Sequence, residues 1–312
     1  MIKNSKIKRI HFVGIGGTGM SGIAEVLHNM NFIVSGSDLG ENETVNRLRR
    51  MGITVFIGHS SDQVQEAETL VYSSAVKDDN VEVAAARKRG IPVIPRAEML
   101  AELMRMKFAI TVAGTHGKTT TTSMLATILG EAGLDPTYVV GGRLKAEESG
   151  AKLGQSDFLV AEADESDGSF LTLYPTVAVI TNVEDDHLDY YGSFENLREA
   201  FVRFANKVPF YGAVVINESD PVLAGLLPRI NKQVRTFSVE GRSHFFAREI
   251  DVQMLGCSFN LIERGFDMGR INLNVGGKHN IANALAAITA AREIGLDLAT
   301  IRQGLSKFYL PQ

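Results

Sequence analysis

Lys118 and Thr119 lie in a turn whose residue types suit phosphoryl chemistry. The turn reads Gly114-Thr115-His116-Gly117-Lys118-Thr119-Thr120 and stands between an apolar run and a helical one. In such a turn backbone N–H groups cradle phosphate oxygens, the lysine meets the β- and γ-phosphates, and the hydroxyl reaches Mg2+. The full G-x-x-x-x-G-K-[ST] pattern is not met, because Val112 stands where the first glycine belongs. The strand–turn–helix setting and the four threonines Thr119–Thr122 argue against a chance Gly-Lys-Thr. A second glycine turn comes earlier, with Gly14, Gly16 and Gly19 in G-x-G-x-x-G spacing. Asp38 ends the next apolar run, where a carboxylate could accept from a ribose hydroxyl. Ser73 and Ser74 bring small donors to the end of a later strand. That turn reads either as a site for a diphosphate-bearing nucleotide or as a structural tight turn, and nothing in it specifies NAD.

Two further residues follow apolar strand-like runs and so come to the same sheet edge as the phosphate turn: Glu162 after Phe158–Ala161, and His187 after Val177–Thr181. Mg2+ takes oxygen ligands and is held by one or two carboxylates plus phosphates, a role that Thr119 and Glu162 suit. Glu165, Asp167 and Asp189 read as turn-formers or as solvated carboxylates, and Glu184, Asp185 and Asp186 as a helix-cap cluster. Gly277–Asn283 opens an alanine-rich helix with Asn280 as N-cap. The single cysteine, Cys257, lies between Leu255 and Phe259 and reads as an inert core thiol. No nucleophile–base triad is evident.

These residues need elements to hold them. Strand-like runs at Ile7–Val13, Phe32–Ser35, Ile53–Phe56, Thr69–Tyr72 and Pro92–Ile94 alternate with helical runs at Ser21–Met30, Glu43–Met51 and Asn80–Arg89. Such alternation predicts a parallel sheet with crossover helices. A second cycle starts at Phe108, runs through the phosphate turn into a helix at Thr119–Ala132, and continues with strands, including Ala213–Asn217, and a helix at Ala200–Asn206. It ends in a β-rich patch, Gln233–Asn274, and a helix at Asn280–Ile294. The expected fold is α/β with two domains. Residues 1–104 form a Rossmann-like parallel sheet, and residues 105–312 a P-loop-type ATP-binding domain with an added β-rich segment. The boundary falls in Arg96–Lys107.

The chain has 312 residues, a length that suits about two domains. Its 45% hydrophobic content excludes a disordered chain. With 32 basic and 36 acidic residues, it lacks the basic excess of a nucleic-acid-coating protein. One cysteine excludes an intramolecular disulfide and any multi-cysteine zinc cluster. No apolar run reaches the length of a membrane span. His11–Leu27 follows basic residues but is glycine-rich and carries Glu25, so it does not read as a signal peptide. The expectation is a cytoplasmic protein with no nucleic-acid partner and no membrane insertion.

The run Gly114-Thr115-His116-Gly117-Lys118-Thr119-Thr120-Thr121 resembles the Mur ligase and folylpolyglutamate synthetase superfamily, ATP-dependent ligases that form amides. Gly14–Gly22, Glu162–Leu171 and Asn182–Asp189 resemble its muramate-specific, alanine-adding branch, and the likeness runs from about Ile10 to Phe308. It implies an activity in peptidoglycan precursor synthesis, in which L-alanine is joined to the lactyl carboxylate of UDP-N-acetylmuramate through an acyl-phosphate. ATP is the implied co-substrate, with Mg2+ or Mn2+. By the same resemblance Gly16, Gly17, Thr18, Gly19, Met20, Ser21, Asp38, Ser73 and Ser74 bind the UDP-sugar. Gly114 to Thr120 bind the ATP phosphates, with Lys118 and His187 catalytic. Thr119, Glu162 and His187 are the implied metal ligands, His187 serving a second metal near the acyl-phosphate. His279, Asn280 and Asn283 fall at the adenine.

Members of the family continue into a third, C-terminal domain, and Tyr309–Gln312 does not match the Gly-Val-x-x-Arg-Arg stretch expected there. The expectation is a chain lacking that domain, able to bind UDP-N-acetylmuramate and, weakly, ATP, but making little product. Alternatives are a fragment that only binds these nucleotides, or a related tripeptide-recycling ligase, which the Gly14–Gly22 turn disfavours. An NAD dehydrogenase would have no use for the second phosphate turn.

Overall fold

The computed structural model describes residues 7–77, 79–140, 151–241 and 243–309. The chain divides at Leu103 into two compact units, with the two-residue strand Ala151–Lys152 grouping with the first.

The first unit is built on β1 (Arg9–Val13), β2 (Ile33–Asp38), β3 (Thr54–Ile57), β4 (Thr69–Tyr72) and β5 (Val93–Pro95). All pairings are parallel, in the order β3-β2-β1-β4-β5. The central strand β1 is buried from Ile10 to Val13, as a strand covered on both faces must be. Helices α1 (Thr18–Asn29), α2 (Glu43–Arg50), α3 (Val81–Lys88) and α4 (Arg96–Arg105) complete the unit. The segment expected to hold the boundary is therefore mostly helix. Its apolar stripe (Leu100, Leu103 and Met104, all buried) is diluted in sequence by Arg96, Glu98, Glu102 and Arg105.

Among the described residues of the second unit, nine strands lie side by side. With α5 (Lys118–Glu131) placed after the first, they are β6 (Phe108–Ala113), β7 (Thr137–Val139), β8 (Phe158–Glu162), β9 (Val177–Ile180), β10 (Ala213–Asn217), β11 (Val234–Ser238), β12 (Phe245–Val252), β13 (Cys257–Glu263) and β14 (Phe266–Leu273). Their order is β14-β13-β12-β11-β10-β9-β6-β8-β7. The expected β-rich patch is β11 to β14, whose last three strands pair antiparallel. Cys257 is buried there and its thiol titrates above the ordinary range because burial disfavours the thiolate, so it is the inert core thiol expected. Helices α6 (Leu188–Tyr191), α7 (Phe194–Ala205) and α8 (Pro221–Leu226) follow β9 and β10, and α9 (Lys278–Glu293) and α10 (Leu298–Lys307) close the unit.

The core of this unit joins α5 and α9 to the sheet through Met124, Leu125, Ile128, Ile281, Leu285 and Ile288. The alanines of α9 let it sit deep, with Ala284, Ala287 and Ala291 fully buried. Helix α10, which the sequence reading left out, packs on α5. A Cβ at Gly304 would stand 2.7 Å from the Ile128 Cα, so this crossing needs glycine. Among the described residues no helix is long and apolar enough to cross a membrane.

Candidate active site

The strand order sets the geometry. β6 runs straight into the phosphate turn and is flanked by β9 on one side and β8 on the other, all parallel. The turn therefore emerges between the residues that follow β9 and those that follow β8, at the edge where open α/β sheets bind ligands. From the β9 side, Asn182 Oδ1 accepts from His116 N at 2.8 Å, Asn182 Nδ2 donates to His116 O at 3.0 Å, and Thr181 Oγ1 donates to the same carbonyl at 2.7 Å. Glu184 N donates to Thr115 Oγ1 at 3.0 Å, and its carboxylate stands 3.6 Å from His116 Nε2. Of the acidic run expected to cap a helix, Glu184 instead clamps the turn, while Asp186 Oδ1 accepts from His187 N, the N-cap of α6.

Two glycines make the close packing possible. Gly114 has φ +133° and a Cβ there would overlap Thr181 Oγ1; Gly117 has φ +83° and a Cβ would overlap Asn283 Oδ1. Gly117 is also the N-cap of α5 and offers no side-chain cap, which leaves the helix start open to an anion. Thr119 and Thr120 are half-buried, whereas Thr121 and Thr122 are fully buried and Thr121 Oγ1 donates to Asn283 Oδ1. Of the four threonines, only the first two keep part of their surface open.

From the β8 side comes Glu165, whose carbonyl closes a turn with Gly168 N but whose carboxylate is not the solvated one of the alternative expectation. It is 1% exposed. Its Oε1 accepts from Lys118 Nζ at 2.9 Å and stands 4.0 Å from His187 Nε2, while its Oε2 is buried with no partner. Burial raises the Glu165 carboxyl above the ordinary carboxylate range, against the pull of Lys118. The loop that carries it is held firmly. Asp164 and Asp167 each accept a backbone N–H two residues on, Tyr191 Oη donates to Glu165 O at 2.5 Å, and Phe170 packs edge-on against Phe201 of α7. Asp167 is thus a turn-former, and Asp189 is exposed. His187 caps α6 in a left-handed conformation, φ 55°. The structure so brings Lys118 and His187 to one buried carboxylate. Sequence alone gave no signal for its role, since an isolated glutamate in an acidic loop looks solvated.

The residues expected at the adenine lie beside the turn. A cavity of about 180 Å3 is lined by His116, Gly117, Asn182, Phe237, His279 and Asn283, among others. His279 is exposed. Asn280 is not the N-cap: α9 starts at Lys278 after Gly277, and the Asn280 amide instead donates to Gly276 O at 2.7 Å. Asn283 Nδ2 donates to Asn280 Oδ1 at 3.3 Å. The two asparagines brace the helix start and the phosphate turn.

In the first unit, Gly14 N and Ile15 N donate to Ser37 O, and Gly16 N donates to Asp38 Oδ2 at 2.8 Å. Asp38 thereby holds the glycine turn. A Cβ on Gly16 would stand 2.8 Å from that carboxylate and 3.0 Å from Asn42, and one on Gly19 would stand 2.8 Å from Arg96 Nη1. Arg96, left in a connecting segment by the sequence reading, is therefore the cation nearest this turn's third glycine. Gly17 is exposed and caps α1 without a side-chain bond. Thr18 opens α1, and its side chain lies outside the described residues. Met20 is 1% exposed, a core side chain, and Met20 N and Ser21 N both donate to Gly17 O at the start of α1. Ser73 N donates to Val13 O and its hydroxyl accepts from Ala75 N, while Ser74 is exposed.

Among the described residues no three His, Cys, Asp or Glu side chains form a ready-made cage. Glu162 ends β8 in register with Val112, next to the turn, and Thr119 opens α5. A hydroxyl and carboxylates that leave most positions to phosphate and water fit Mg2+, which keeps several waters, and do not fit a structural zinc.

Comparison with known proteins identifies relatives of the chain. Residues 9–108 match the profile described as Mur ligase family, catalytic domain, and residues 112–291 match the Mur ligase middle domain. The chain is 52% identical over 304 residues to the UDP-N-acetylmuramate–L-alanine ligase of Solidesulfovibrio magneticus, covering 97% of this chain and 66% of that one. It is 50% identical over 308 residues to the ligase of the same name from Myxococcus xanthus, covering 99% and 65%. The chain thus spans about 66% of the length of these relatives. Among solved structures, a UDP-N-acetylmuramate:L-alanyl-gamma-D-glutamyl-meso-diaminopimelate ligase from Neisseria meningitides aligns with TM-score 0.89 at 33% identity, covering 98% of this chain and 99% of that one. The UDP-N-acetylmuramate-alanine ligase of Thermotoga maritima aligns with TM-score 0.82 at 32% identity, covering 96% and 68%. With its middle domain matched over more than half its length, and with both glycine turns placed at sheet edges, the chain belongs to the Mur ligase family.

Proposed function

We propose that the chain binds UDP-N-acetylmuramate in its first unit and ATP in its second, and serves the ATP-dependent joining of L-alanine to the lactyl carboxylate. The observation that carries this reading is the meeting of Lys118, Glu165 and His187 beside the open start of α5. In the proposed sequence the lactyl carboxylate attacks the γ-phosphorus, ADP leaves, and the acyl-phosphate forms. The alanine amine then adds to the acyl carbon, and the tetrahedral intermediate expels phosphate. Neither step calls for a protein nucleophile, which suits a site without a nucleophile–base triad.

Each residue has a distinct part. The turn N–H groups hold the β-phosphate. Lys118 neutralises charge on the γ-phosphoryl oxygens, an electrostatic role. Thr119 and Glu162 would hold one Mg2+ or Mn2+ and His187 a second, and these ions, when bound, would supply charge neutralisation on the phosphates. The cavity beside His279 and Asn283 takes the adenine. In the first unit Gly16–Gly19 take the diphosphate, Arg96 supplies the cation, and Asp38, Ser73 and Ser74 line the nucleoside side.

Hydroxylamine trapping tests the first half directly. Incubated with ATP, Mg2+ and UDP-N-acetylmuramate, the chain should give the UDP-muramyl hydroxamate, detected by mass spectrometry, and none when either nucleotide is omitted. A chain that binds both nucleotides yet yields no hydroxamate would contradict the assignment. The high structural similarity to the ligase from Neisseria meningitides favours a second reading, transfer of a tripeptide. The 52% identity to an alanine ligase favours the first. Phosphate release with L-alanine against L-alanyl-γ-D-glutamyl-meso-diaminopimelate separates them.

A further inference from the structure

Lys118 is the group expected to meet the γ-phosphate, yet its ammonium already has three acceptors. Nζ donates to Gly114 O at 2.6 Å, to Glu165 Oε1 at 2.9 Å and to Thr115 O at 3.3 Å. An ammonium has three N–H donors, so its capacity is filled. A phosphate oxygen can be met only if one contact is given up. Gly114 O and Thr115 O belong to the turn that must itself wrap the phosphates. Glu165 comes from another strand, carries a charge of the phosphate's own sign, and is the one partner whose remaining oxygen is buried and unpaired. His187 Nε2 stands 4.0 Å from the same oxygen that holds the lysine.

We infer that Glu165 is a latch: it holds Lys118 on the empty turn and is displaced by the triphosphate as the lysine moves onto the phosphate. Glu165 is thus a positioning residue, and its effect on the nucleotide runs through Lys118. Its buried place keeps water from competing for the lysine in the empty site. The latch sets the sign of a measurable effect. A residue that merely supported the site would weaken nucleotide binding when altered. A competitor for the lysine strengthens it.

The inference rests on ATP binding at this turn, and wild-type affinity tests that premise separately. Calorimetry on the 312-residue chain in Mg2+ buffer would compare a non-hydrolysable ATP analogue, ADP and adenosine for wild type and Glu165→Gln. Glu165→Gln keeps the shape and removes the charge. It should bind the ATP analogue about tenfold more tightly, the scale of one charge-assisted hydrogen bond. It should bind ADP more tightly by less, and adenosine unchanged. Glu165→Asp sets the carboxylate back from the ammonium by one methylene and serves if the glutamine variant does not fold. It should shift the ATP analogue in the same direction by a smaller factor. Unchanged or weaker binding of the ATP analogue in the variant that folds would overturn the latch. A wild type that binds no ATP analogue would instead overturn the reading on which it rests.

Discussion

The two glycine turns look alike in sequence and are stabilised differently. In the first, the turn is tied to the strand beside its own: Ser37 O and Asp38, both at the end of β2, accept three of its N–H groups. In the second, side chains from beyond β9 and from α9 grip the turn, and its cation is committed to a buried carboxylate from beyond β8. In both, the glycines meet protein before they meet any ligand. Asp38 and Asn42 crowd Gly16, Arg96 crowds Gly19, Thr181 crowds Gly114 and Asn283 crowds Gly117. A glycine fingerprint therefore reports close packing as much as the approach of a diphosphate, and replacing a glycine cannot by itself locate a ligand.

The buried glutamates of the two units sharpen the contrast. Glu82, at the start of α3, is fully buried; it accepts from His11 Nε2 at 2.8 Å and from Ser37 Oγ and His59 Nδ1 at 2.9 Å each. Burial alone would raise its carboxyl, but the hydrogen bonds, that of His11 foremost, leave it below the ordinary range. Glu165 keeps an unpaired oxygen and its carboxyl is raised. A buried charge with every oxygen satisfied is structural, whereas one left half-satisfied is available to change partners.

The largest expected effect tests that distinction. Glu82→Leu leaves His11, His59 and Ser37 without their shared acceptor and should lower unfolding free energy by about 3 kcal/mol or more in urea melts. Glu165→Gln should change it by less than about 1 kcal/mol, because only one oxygen is paired. Equal losses would erase the difference. Next comes Gly114→Val, which combines overpacking against Thr181 with a backbone conformation that favours glycine; a loss of about 2–5 kcal/mol is expected. Gly16→Val, with a φ that any residue can adopt, should lose about 1–3 kcal/mol by overpacking alone. It should do so in the absence of any UDP-sugar, and a stability equal to wild type would return Gly16 to a pure ligand-contact role.

A smaller effect is the pH dependence. The folded-state pKa of Glu82 lies below its ordinary 4.5, so its contribution to stability is complete above that pH and fades as pH falls through the folded value. For Glu165 the folded value lies above 4.5, so its contribution is complete below that pH and is lost as pH rises through the folded value. As pH drops below 4.5, denaturation midpoints should fall more shallowly in Glu82→Gln than in wild type. In Glu165→Gln they should lose a component that declines toward neutral pH. The opposite assignment of slopes would show the two carboxylates misjudged.

Much of this was legible in the sequence because the signals are local. Strand-like runs before Gly14 and Gly114, helix-stop glycines, and the alternation of elements all act within a few residues, and they placed both turns at sheet edges. What the sequence withheld is long-range. Arg96 looked like a linker residue because its helix is rich in charge, and only the fold sets it beside Gly19. Glu165 looked solvated because nothing near it in sequence reveals that Lys118, 47 residues away, supplies its partner. Asn280 looked like a cap because Gly277, the true N-cap, has no side chain to announce the role. Helix α10 was overlooked because what holds it, such as the approach of Gly304 to Ile128, is tertiary contact.

The central claim is that the two turns serve two different ligands, and Lys118→Ala tests it most directly. Calorimetry with an ATP analogue and, separately, with UDP-N-acetylmuramate gives one affinity for each turn. Removing the ammonium should weaken the ATP analogue about ten- to a hundredfold. UDP-N-acetylmuramate should stay within about twofold of wild type, as independent sites do. Equal loss of both affinities, or an ATP analogue that binds the variant as well as the wild type, would contradict the account.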